Sequence, residues 1–190
     1  MVSSVISTGQ SSHGKSSHKK GQESSGKSSG KDEKKKGKPD GTSDSYTTVC
    51  MTIFVFRGAP DAYYKRHVLI YFTSPDSPEF HETVHVQREN DASPWMVDRV
   101  HGQKDWDLTA TYLSHVNAGA VLVHSGQEMV PVDIVAATPV EGREQDSGWN
   151  CQNFVLEGLQ RIMYYGFQTQ EWYDSVEEEL TSQLLEGAIA

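Results

Sequence analysis

"GWNCQNFVLEGL", residues 148 to 159, holds Cys151, one of only two cysteines among 190 residues. From Cys151 onward, apolar residues fall at Phe154, Val155, Leu159, Ile162 and Met163. That i, i+3, i+4 stripe predicts a helix with one buried face. Asn150 is a good N-cap and Gly166 a C-terminal stop. Cys151 therefore sits in the first helical turn, on the buried face. Such a cysteine reads either as a nucleophile or as a small buried hydrophobe. The unpaired N–H groups and dipole of a helix start favour thiolate. A nearby imidazolium adds to that effect, and together they lower a thiol pKa from ~8.5 to roughly 3.5–7.5.

The segments upstream predict strands. Residues 48 to 56, "TVCMTIFVF", are β-branched and aromatic, and "RGAPD" breaks them at 57 to 61. "HVLIYF" (67 to 72) and "FHETVHVQ" (80 to 87) follow, joined by the turn "TSPDSP". Residues 88 to 107 read as a polar stretch holding Trp95 and Trp106. Residues 108 to 116 and 129 to 136 read as further strands, with a short helix as the alternative for one of them. A last helix spans about residues 169 to 185, capped by Thr169. Strands first and helices after predict an α+β fold, a small antiparallel sheet packed against the Cys151 helix.

A nucleophilic cysteine needs a histidine base and a third group to orient it. With the hairpin turn centred on Asp76, His67 faces His85 and Tyr71 faces His81. The two imidazoles then share one sheet face, with Cβ atoms about 5 Å apart. His81 takes the orienting role if the turn is shifted. A metal reading fares less well. His81 and His85 have helical chelating spacing, but on a strand they lie ~13 Å apart. A zinc site needs His67, His85 and Cys151 to converge. Cys50 lies inside a strand and reads as structural.

The three islands "RHVLIYF", "TVHV" and "NCQNFV" resemble the circularly permuted papain-like cysteine proteins, which include lecithin retinol acyltransferase-like, NlpC-type and PPPDE-type enzymes. The resemblance spans about residues 53 to 165 and implies His67 as base, His85 as orienting residue and Cys151 as nucleophile. It implies a thiol-dependent hydrolase or acyl-transfer enzyme acting on an ester, amide or isopeptide, with no cofactor. Asn150 and Asn153 become candidates to support the oxyanion. Two positions depart from the acyltransferase-like branch: Val68 replaces an aromatic residue and Asn153 a histidine. The alternative is a catalytically inactive binding or scaffold protein on the same fold.

Residues 1 to 45 are rich in Ser, Gly and Lys and have no aromatic residue. They predict a disordered arm before a domain over residues 46 to 190. The arm carries nine Lys against five acidic residues; residues 46 to 190 carry eight Lys or Arg against 21 acidic ones. Broad nucleic-acid binding by the domain is disfavoured, leaving weak anion binding through "KDEKKKGK" (31 to 38), which also looks like a nuclear-import patch. No segment is apolar enough to span a membrane, and no secretory signal is present, so a cytoplasmic or nuclear location is expected. No Gly-x-Ser-x-Gly elbow or phosphate loop occurs.

Overall fold

The computed structural model describes residues 45 to 146 and 148 to 189, so the predicted N-terminal arm lies outside the described residues except for Ser45. Five strands form one antiparallel sheet: β1 (Tyr46–Phe56), β2 (His67–Thr73), β3 (His81–Gln87), β4 (Met96–His101) and β5 (Tyr112–His124). Their order across the sheet is β4-β3-β2-β1-β5. Three helices follow: α1 (Met129–Ala136), α2 (Cys151–Tyr164) and α3 (Gln170–Leu185). The chain is α+β, as the order of its segments predicts. Among the described residues no helix is long and apolar enough to cross a membrane.

Alternation along the strands builds two faces. Val49, Met51, Ile53 and Val55 of β1 join Val68, Ile70 and Phe72 of β2 beneath the helices. The α2 stripe meets them with Phe154, Val155, Leu159 and Ile162, all fully buried. Burying each such side chain contributes about 1.5–3 kcal/mol. The other face carries a smaller cluster of Phe56, Leu69 and Tyr71, covered by Phe54, Trp106 and Tyr112. His67 and His85 alternate onto this second face, where His67 meets Phe56 at a centroid distance of 6.2 Å.

Three local readings are decided by the structure. Residues 129 to 136 take the stated alternative, a short helix, and not the strand. Pro131 falls in the first turn of α1, where its missing N–H costs nothing. Residues 96 to 101, inside the stretch read as polar, form edge strand β4, half exposed and therefore without an apolar run. The β2–β3 hairpin pairs Tyr71 with Thr83 and Thr73 with His81, a register two residues from the one centred on Asp76. Ser74 Oγ accepts from the N–H groups of Asp76 and Ser77, both at 3.2 Å, and shapes this longer turn. A two-residue slip preserves every side chain's face, so the histidines stay together although they are no longer opposite.

Candidate functional site

The start of α2 is fixed by a capping box. Asn150 is extended, with φ −155°. Its Oδ1 accepts from the Gln152 N–H at 2.8 Å, and Asn153 Oδ1 accepts from the Asn150 N–H at 3.0 Å. This arrangement satisfies donors that a helix start leaves unpaired. Asn153 thus has a structural task of its own, holding the first turn of α2. The same turn is stitched to the chain before β2. Asn150 Nδ2 donates to the Tyr64 carbonyl at 3.3 Å, and Gln152 Nε2 donates to the carbonyls of Tyr63 and Arg66 at 2.7 and 2.9 Å.

Arg66 anchors that chain from the other side. It is fully buried, pairs with Asp61 through two contacts of 2.9 Å, and donates to the carbonyls of Gln183, Leu184 and Glu186 at the end of α3. A cation there also meets the negative end of the helix dipole. His67 opens β2 immediately after this clamp.

Cys151 Sγ lies against the backbone of this strand start and donates to the Arg66 carbonyl at 3.8 Å. The thiol is buried, and burial pushes its pKa up to about 11. The N–H groups of Val68, Cys151 and Gln152 act in the opposite direction without overcoming it. His67 is displaced the other way, down to about 4, first by burial and second by the neighbouring charge of His85. At neutral pH the thiol is therefore protonated and the imidazole neutral. The helix start does not yield the acidic thiol its position suggests, because desolvation of the sulfur outweighs the aligned N–H groups.

Cys151, His67 and Asn150 line one open pocket of about 440 Å³, but the thiol is bonded to the Arg66 carbonyl and not to an imidazole, since the His67 side chain alternates onto the sheet face away from α2. The His67 ring meets His85 edge-on at a centroid distance of 5.2 Å. His85 Nε2 contacts Asp98 Oδ2 at 3.3 Å from the residue directly opposite on β4. His85 Nδ1 is buried with no partner. In the tautomer that carries its proton on Nε2, beside Asp98, Nδ1 presents a lone pair to its surroundings. Asp98 escaped the sequence reading because β4 did. The signal was alternation of Trp95, Val97 and Arg99 toward the helices, obscured by the arginine, which pairs with Asp133 of α1 at 2.9 Å.

The other histidines among the described residues lie elsewhere. His81 Nδ1 bonds the Tyr71 hydroxyl at 2.7 Å, His115 bonds that of Tyr112 at 2.8 Å, His101 pairs with Glu82, and His124 stacks on Tyr46. Cys50 lines a hollow on the second sheet face with Phe54 and Tyr71, and both cysteines are free thiols. Among the described residues no three His, Cys, Asp or Glu side chains are grouped to hold a metal ion. Compared with known proteins, the chain matches no family model, no curated protein and no solved structure.

Proposed function

We propose that the protein is a thiol-dependent hydrolase or acyl-transfer enzyme of the permuted papain-like type, acting on an ester, amide or isopeptide. The observation that carries this reading is that Cys151 in the first turn of α2 and His67 at the opening of β2 line the same pocket, with His85 against the His67 ring and Asp98 beside His85. The resting pair is neutral, so His67 works as a general base. Cys151 leaves the Arg66 carbonyl, its sulfur attacks the substrate carbonyl, and the thiol proton passes to His67 by way of a water in the shared pocket. The imidazolium then donates to the free lone pair of His85 Nδ1, an interaction gained only after proton transfer. His67 returns the proton to the leaving group. Water or an acceptor resolves the thioester. The Cys151 backbone N–H stabilises the oxyanion. A free-thiol enzyme of this kind suits the cytoplasm or nucleus.

A second reading, an inactive binding protein on the same fold, is favoured by the thiol at about 11 and His67 at about 4, since burial has silenced both groups. The rate of Cys151 alkylation by iodoacetamide against pH separates the two. Base assistance predicts a plateau once His67 is neutral, above about pH 4. In His67→Ala the rate would instead climb about tenfold per pH unit with the thiolate fraction. Superimposable wild-type and His67→Ala profiles would leave only the binding protein.

A further inference from the structure

The chain just before β2 is held in place by side chains at the start of α2. Tyr63–Lys65 form one short helical turn that buries no side chain of its own. Ala62 and Arg66, on either side of it, are buried and anchor its ends. The backbone bonds of this strap are internal: the Lys65 N–H donates to the Ala62 carbonyl at 2.9 Å, and the Arg66 N–H to the Tyr63 carbonyl at 3.3 Å. Among the described residues, the hydrogen bonds that tie residues 63 to 65 to another element come from Asn150 and Gln152. Gln152 supplies the shorter ones, 2.7 Å to the Tyr63 carbonyl and 2.9 Å to that of Arg66; Asn150 adds one of 3.3 Å to Tyr64.

Cys151 stands between these two residues in sequence, and its thiol rests on the carbonyl of Arg66, where the strap ends. Tyr64, Lys65 and Arg66 line the same hollow as Cys151. Behind the strap, Gly58 leaves no space: a Cβ there would meet the Lys65 carbonyl oxygen at 2.6 Å. The strap is therefore seated against backbone on one side and held by two side-chain amides on the other. The rings of Tyr63 and Tyr64 are exposed and pack edge-on to each other, with centroids 5.4 Å apart, so they add no buried contact to hold it. A segment with so little burial opens locally at less cost than the whole fold.

We propose that Gln152 is a positioning residue: with Asn150 it latches the strap onto the start of α2, and so keeps the Cys151 thiol docked on the Arg66 carbonyl until the strap is released. As a gate on catalysis, the latch rests on the thiol-enzyme reading. The test is the rate at which iodoacetamide alkylates Cys151 in the full chain at neutral pH, resolved from Cys50 by peptide mass spectrometry and repeated in low urea. Gln152→Met keeps the reach of the side chain and removes both of its bonds to the strap. Cys151 labelling should then rise about tenfold, the scale of one or two lost hydrogen bonds. Asn150→Ser retains a capping oxygen, loses the bond to Tyr64 and should give a smaller rise; it decides the matter if Gln152→Met fails to fold. Both rises should be flat in urea below the unfolding transition, as local opening is, with Cys50 labelling unchanged. Cys151 labelling that stays the same or slows, or a rise that is matched at Cys50 or steepens with urea as global unfolding does, would overturn the latch. His67→Ala separates the two ideas. Labelling indifferent to His67 brings down the enzyme reading, whereas a His67-dependent rate indifferent to Gln152→Met brings down the latch alone.

Discussion

The imidazole of His67 stands edge-on to that of His85, at 5.2 Å between centroids and 81° between planes, although the two are diagonal rather than opposite across β2 and β3. Their coupling is electrostatic: a charge on His85 disfavours one on His67, second only to burial. In His85→Phe the His67 pKa should rise from about 4 yet stay below 6.5, because the larger cause, burial, remains. An NMR titration of the His67 ring reads this directly; an unchanged midpoint would show the rings to be uncoupled.

The same shift has a stability counterpart. Between pH 4 and 6.5 the unfolded chain binds a proton that folded His67 refuses. Stability therefore rises with pH through that window. His67→Phe should flatten this part of the curve in urea titrations at stepped pH. A slope that survives the substitution would belong to another group.

Asp98 holds His85 without touching the pocket. Asp98→Asn should lower the height of the His67-dependent alkylation plateau about tenfold, a fraction of what a general base contributes. The plateau should still begin near pH 4, since His67 remains buried. A purely structural role would lower stability and leave the plateau height of the folded protein unchanged.

Arg66 is a buried cation with every partner supplied. Arg66→Met should cost about 3 kcal/mol, the scale for breaking a buried ion pair, measured by urea unfolding. On the other side of the pair, the Arg66 hydrogen bonds are the main cause holding the Asp61 carboxyl below its ordinary 3.8. Its contribution is present above that value and is lost as pH falls through the lower, folded one. The stability gap between wild type and Asp61→Asn should therefore narrow in acid. A gap independent of pH would mean that the carboxylate charge is not what matters.

Gly158 of α2 packs against Val135 of α1 with no room for a side chain. A Cβ there would meet Val135 Cγ1 at 2.9 Å and Thr138 Oγ1 at 3.4 Å. Gly158→Ala gains about 1 kcal/mol of helix propensity, but the stiff, buried valine must move, at about 1–3 kcal/mol. The net expectation is destabilisation of about 1 kcal/mol in urea unfolding; a more stable variant would show that the two helices can part.

What was legible follows from which signals are local. The α2 stripe, its Asn150 cap and the Gly166 stop are written within a few residues, and Gly166 does take a left-handed φ of 81°. Strand alternation was equally plain where one face is fully buried, as in β1. "MVPVDIVA" was ambiguous because β-branched residues and a proline suit either state until the position of Pro131 in the first turn is known. The hairpin register depended on how Ser74 folds the turn, which no periodicity reveals. Asp98 was hidden because an edge strand needs no apolar run. The thiol's high pKa is a tertiary property: the helix start is visible in the sequence, but the depth at which it is buried is not.

Arg66 also joins the end of α3, outside the pocket, to the start of α2. Its guanidinium grips the last turn of α3, while its carbonyl receives Cys151 and Gln152 of α2. A change around Gln183 to Glu186 that withdrew those carbonyls would leave a buried cation in search of partners, and the strand carrying His67 would shift with it. The tail of α3 is thus tied, through one residue, to the carbonyl that receives the thiol.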